Sequence, residues 1–129
     1  MIDSSAALYE LATAVGLDPL VDRHDLTAPA LLWSEATSVI NLMVWRDEIT
    51  DEVSEVMLER LLEAPIERMT SRAIYDDATA AARQLGWART YDAEYVGLAK
   101  AMDVPLFTRD GRLSRGAGRL VRTVGPDDL

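Results

Sequence analysis

Short apolar runs alternate with longer stretches of helical periodicity along the whole chain, and few folds accommodate that alternation. Met1-Ile2-Asp3 reads as the end of a short strand. A helix follows, carrying Ala6, Ala7, Leu8, Leu11, Ala12 and Val15, capped by Ser4 or Ser5 and stopped by Gly16. A loop or short helix covers Asp18 to His24, and Leu26-Thr27-Ala28 is a brief strand. Pro29 suits the first position of a helix that runs to about Arg46. Thr50 or Asp51 caps the next helix, which Pro65 ends. Ile66 to Met69 is a strand candidate. Ser71 then caps a helix closed by Gly86, and Thr90 caps another from Tyr91 to Met102. Val104 to Thr108 and Leu120 to Val124 are the last strands, with the Arg- and Gly-rich stretch 109–119 between them read as a mobile loop. Strands alternating with helices imply an α/β fold with a mostly parallel sheet covered on both faces.

At 129 residues the expectation is a single domain, 1–129, long enough to bury a core. The 49% apolar content argues against disorder. The chain has no cysteine, which excludes disulfides and thiolate metal sites. No signal peptide is expected, because no apolar stretch with a basic flank precedes the domain. The densest apolar stretch, Val39 to Trp45, is broken by Asn41 and is too short to cross a bilayer. A soluble cytoplasmic protein without a membrane role is therefore expected. The net charge of −9 argues against nonspecific nucleic-acid binding. Residues 109–122 depart from it, with five arginines against Asp110, giving +4 and leaving −13 on the rest (−9 less +4).

Four acids stand where a solvated-charge explanation works poorly: Asp3, Glu35, Asp92 and Asp110. Asp3 ends the first apolar run, where ligands of open α/β sheets gather, although it could equally cap the following helix. Glu35 interrupts an apolar stripe of Leu31, Leu32, Val39, Leu42 and Met43, so it points where a core should be. Asp92 lies in the first turn of its helix, and dipole complementarity alone would account for it. Glu94 is taken as a surface residue. Asp110 follows a strand, and Asp110-Gly111 is also a common turn pair. Isolated buried carboxylates are costly unless paired or metal-bound. A fold that gathers these four would make an oxygen-ligand site for a hard cation.

Other chemistries find little support. The only histidine, His24, sits in a polar loop. Gly111, Gly116 and Gly118 do not follow a strand and open a helix as a phosphate-binding loop requires. With no activated protein nucleophile in view, metal-activated water is the remaining route.

The motifs together resemble the PIN-domain family, and within it the VapC-type toxins of bacterial toxin–antitoxin modules. The matching segments are Met1-Ile2-Asp3-Ser4-Ser5-Ala6 and Ala28-Pro29-Ala30-Leu31-Leu32-Trp33-Ser34-Glu35. Stronger still are Thr90-Tyr91-Asp92-Ala93-Glu94-Tyr95-Val96-Gly97-Leu98-Ala99 and Pro105-Leu106-Phe107-Thr108-Arg109-Asp110-Gly111-Arg112-Leu113. The resemblance implies a three-layer α/β/α sandwich around a central parallel sheet, and RNA cleavage with Mg²⁺ or Mn²⁺. It carries over Asp3, Glu35, Asp92 and Asp110 as the site, with Thr108 and Ser5 as polar support and Asp3 and Asp92 as direct metal ligands. Arg109, Arg112 and Arg115 would grip the RNA backbone, Arg112 first. A VapB-like antitoxin and a toxin homodimer are the implied partners, with Trp45, Val56 and Met57 lining a groove or dimer face. Only two residues precede Asp3, fewer than is usual in the family, so the first strand is short or begins upstream.

Three other readings compete with this one. A receiver-type domain would want paired acids after the first strand and a lysine on a late strand, where this chain has Asp3-Ser4-Ser5 and no such lysine. A haloacid-dehalogenase-like phosphatase would want Asp-x-Asp, and position 5 is serine. A catalytically silent PIN module that binds RNA or a protein is the non-enzyme alternative.

Overall fold

Two parallel strand pairs form the frame: β1 (Leu26–Pro29) with β2 (Ile66–Met69), and β3 (Leu106–Phe107) with β4 (Thr123–Val124). The structure, a computed structural model, describes residues 1–13 and 15–128. The N-terminal residues join the two pairs. Ile2 bridges Phe107 and donates its N–H to Thr27 O at 3.0 Å, while Asp3 N–H reaches Phe107 O at 3.1 Å. The order across the sheet is β2, β1, Met1–Asp3, β3, β4. Helices α1 (Ser4–Leu11), α2 (Asp18–Val21), α3 (Leu31–Trp45), α4 (Asp51–Glu63), α5 (Ala73–Leu85), α6 (Tyr91–Met102) and α7 (Gly111–Ala117) connect the strands. The result is the expected three-layer α/β/α sandwich. Ile2, Leu11, Leu32, Leu61, Tyr95 and Leu106 are fully buried at its centre.

Local chemistry explains most boundaries. Thr50 caps α4, its hydroxyl accepting from Val53 N–H at 3.2 Å. Gly86 ends α5 in the left-handed region at φ 73°. α1 departs from expectation twice. Its cap is Asp3 rather than a serine, and it ends at Leu11, well short of Gly16. The reason lies in the carbonyls at its end, since Arg60 donates to Leu11 O and Thr13 O and the Thr13 hydroxyl donates to Glu10 O. Pro29 is also not helical. It closes β1, because Ala30 N–H continues the ladder to Met69 O at 3.1 Å.

Two further expectations are corrected. The stretch 109–119 is not a loop through its length but holds α7, started by Asp110 and seated by buried Leu113 and Ala117. The buried face of α3 is Leu32, Trp33, Ala36 and Ile40, while Val39 and Leu42 stay over a third exposed. The Glu35 stripe therefore borders the core instead of entering it.

Candidate active site

The carboxyl ends of the first strand and β3 deliver Asp3 and Thr108 side by side. Asp3 is 3% exposed, and both carboxylate oxygens are engaged. Oδ1 accepts from Ala6 N–H at 3.0 Å and from Ser5 Oγ at 2.8 Å, and Oδ2 accepts from Thr108 Oγ1 at 2.5 Å. The competing explanations for Asp3 are thus both true: it caps α1 and it sits at the strand end. Burial pushes its pKa up, the three hydrogen bonds oppose that, and the Asp110 charge raises it further.

Glu35 arrives from α3 half-buried and meets Tyr95 of α6, whose hydroxyl donates a short hydrogen bond to Glu35 Oε1. Burial raises the Glu35 pKa, Tyr95 lowers it, and Asp92 and Asp3 raise it again. The Tyr95 hydroxyl itself is pushed far up by burial and by Glu35, so it stays a proton donor. Asp92 opens α6 with an exposed side chain. The protein around it still displaces enough water to raise its pKa, with Asp110 adding to the rise and Arg112 opposing it. Asp110 Oδ1 caps α7, accepting from Arg112 N–H at 2.9 Å and Leu113 N–H at 3.2 Å. Its own N–H donates to Thr108 Oγ1 at 3.0 Å, which ties α7 to the site.

All four expected acids therefore share one electrostatic neighbourhood at the carboxyl ends of the central strands. Two residues given no role from sequence join them. Glu94, read as a surface acid, is half-buried, and its pKa is raised by burial and by Glu35. Tyr95 fixes Glu35. A buried tyrosine needs a partner for its hydroxyl, which is the signal that could have found it.

The arginines do not form one patch. Arg109 stacks its guanidinium over Tyr9 at 3.5 Å from the ring centroid. Arg112 and Arg115 are exposed on α7, Arg112 facing Asp92. Arg119 donates to Gln84 O at the end of α5. Arg122 lies at the amino ends of the strands, lining a cavity of about 450 Å³ with Met1, His24 and Leu26.

An oxygen-only donor set suits a hard divalent cation. Among the described residues no three acidic or histidine side chains converge into a ready-made cage. The acids raise one another's pKa without closing on a common point.

An α/β domain with carboxylates gathered at the carboxyl ends of a parallel sheet is the class that fold and site define. The chain belongs to the PIN domain family, whose pattern matches residues 1–119. It is similar to the protein named Ribonuclease VapC1 of Mycobacterium tuberculosis, 32% identical over 122 residues that span 92% of this chain and 90% of the relative. Ribonuclease VapC12 of the same organism is 31% identical over 122 residues, spanning 92% of each. Among solved structures, PAE2754 from Pyrobaculum aerophilum superposes with a TM-score of 0.74 at 23% identity, covering 98% of this chain and 89% of that one. FitAcB from Neisseria gonorrhoeae gives 0.61 at 19% identity, covering 99% and 98%. At these identities the two structures speak to the fold.

Proposed function

We propose that this chain is a Mg²⁺- or Mn²⁺-dependent endoribonuclease, the toxin of a cytoplasmic toxin–antitoxin pair. The observation that carries the reading is the cluster of Asp3, Glu35, Asp92 and Asp110, which share raised pKa values or raise a neighbour's, in a family member whose relatives are named ribonucleases. Asp3 and Asp92, with Asp110, would hold the metal. When bound, the ion supplies charge to the scissile phosphate and lowers the pKa of attacking water.

The chain's own residues do the rest. Thr108 and Ser5 fix the Asp3 carboxylate, so it meets its ligand in one orientation. Tyr95 holds Glu35, whose carboxylate would orient water or take its proton. Arg112 faces the cluster and would meet the phosphate backbone. The products carry 5′-phosphate and 3′-hydroxyl ends.

Asp92→Asn is the sharpest test. Asp92 is exposed and makes no hydrogen bond that the fold needs, whereas Asp3→Asn would turn an amide toward the donors that hold it. Purified protein should cut RNA with Mg²⁺ or Mn²⁺ and stop in chelator, and Asp92→Asn should abolish cutting while melting no lower than wild type. Full cleavage by the variant, or in chelator, sinks the assignment. Metal-insensitive RNA binding without cleavage would favour the silent module instead.

The antitoxin and homodimer readings rest on exposed apolar residues. Trp45 is 83% exposed, and Val56, 47% exposed, lines a groove of about 350 Å³ with Leu11, Ile49, Val53 and Arg60. Met57, expected with them, also lines the groove, at its floor, where it is 2% exposed. Light scattering at micromolar concentration and suppression of toxicity by the neighbouring gene product test both partners together. A monomer that the neighbour does not suppress removes them.

A further inference from the structure

We infer that Tyr9, backed by Arg109, is a stacking platform for an unpaired base next to the scissile phosphate. This deepens the ribonuclease reading and rests on it. Tyr9 lies four residues after Ser5 on α1, so the two share a face about 6 Å apart at Cβ. Ser5 is at the centre of the site. Its hydroxyl donates to Asp3 Oδ1 at 2.8 Å and accepts from Arg109 N–H at 3.0 Å. The same serine that touches the buried carboxylate therefore fixes the backbone of the residue whose guanidinium covers Tyr9 at 3.5 Å.

A surface cation–π pair is the plainer explanation, and a second pair in this protein shows the difference. Arg68 stacks over Trp33 at 4.3 Å, but Trp33 is only 9% exposed and its ring is consumed by packing. Tyr9 remains 52% exposed with Arg109 already on it. A ring held in place and still open on one side gives a base somewhere to stack, and the cation behind it strengthens that contact and draws in the backbone. Aromatic planes of this kind take single-stranded nucleotides with splayed bases, so the substrate class is unpaired RNA rather than duplex.

The test uses a short single-stranded oligo(A) RNA carrying 2-aminopurine, in chelator so that nothing is cut. Wild type and Tyr9→Phe should quench the 2-aminopurine emission on binding. Tyr9→Leu should not, and should bind at least about 5-fold more weakly. An RNA with an abasic site at the probe position should bind wild type and Tyr9→Leu alike. Thermal melts establish that Tyr9→Leu is folded, as an exposed position predicts. Equal quenching and affinity in Tyr9→Leu overturn the platform while leaving the ribonuclease reading intact. Wild-type protein that neither binds nor cleaves any RNA overturns both.

Discussion

Gly97 sits midway along α6, and replacing it with alanine tests how that helix is seated. A Cβ there would lie 2.7 Å from both the carbonyl carbon and oxygen of Asp77, and 3.0 Å from Ala78 N. All three are backbone atoms of α5, so no side-chain rotation relieves the clash and the helices must move apart. Overpacking costs about 1–3 kcal/mol, and a rigid neighbour puts this case at the upper end. Alanine gains about 1 kcal/mol from better helix propensity. The net expectation is a loss of about 2 kcal/mol, or about 6–10 °C in Tm for a domain of this length. α6 also carries Asp92, Glu94 and Tyr95, so the displacement should lower RNA cleavage even where the variant is folded. Gly86→Ala is the control. Nothing lies within 4 Å of its would-be Cβ, so only left-handed backbone strain is introduced, at a cost of about 1 kcal/mol, with activity kept. Thermal melts by circular dichroism decide the matter. A Gly97→Ala protein melting at or above wild type refutes the close seating of α6 on α5.

Glu35→Gln should melt higher than wild type in chelator while cutting less RNA, because one charge leaves the cluster and the amide oxygen still accepts from Tyr95; a lower melt would show that the acids do not repel. Asp3, Glu35, Asp92 and Glu94 all have pKa values raised in the fold, chiefly by burial, so the folded state holds more protons than the unfolded chain. Metal-free stability contributed by these groups should be greatest below the ordinary carboxylate range and fall as pH rises through their raised values, measured as melts in chelator across pH. Mn²⁺ at a hundredfold excess over its Kd should then stabilise by about 2.7 kcal/mol at neutral pH, and an unmoved melt would contradict a metal site. Arg112→Ala should reduce the salt dependence of RNA binding by about one unit of slope, whereas Arg122→Ala, at the amino ends of the strands, should not; equal slopes in both would place RNA elsewhere.

The alternation of strands and helices was legible because its punctuation is local. Thr50 and Gly86 act through their own backbone neighbours, and both boundaries fall where their chemistry puts them. What sequence hid was set by distant contacts. Arg60, 49 residues from Leu11, ends α1 early by taking its carbonyls. Glu94 is two residues from Asp92, which on a helix points it away, so it read as surface; only α3 bringing Glu35 beside it makes it part of the cluster. α7 was hidden by its glycines, although Asp110 followed by Leu113 and Ala117 is a cap with a one-turn apolar contact. Asp3 and Asp110 each have a bland explanation as caps, which the starts of α1 and α7 bear out, and only their recurrence with Glu35 and Asp92 in one chain made them legible as a site.

The cluster is graded in rigidity as well as in burial. Asp3 is locked by three donors and by its own place in the sheet. Asp110 is held through one oxygen by the start of α7, and Glu35 through one oxygen by Tyr95. Asp92 is exposed, with no hydrogen bond restraining its side chain. A hydrated cation entering such a site would meet one fixed ligand and others that can still turn. That explains why mutual repulsion among the acids is compatible with a stable fold. The charge that cannot relax away is also the one with the most hydrogen bonds holding it, and the charge with the fewest bonds is the one that solvent still reaches. In the proposed reaction Asp3 would be the fixed ligand for the ion, and Asp92 the one free to turn toward it.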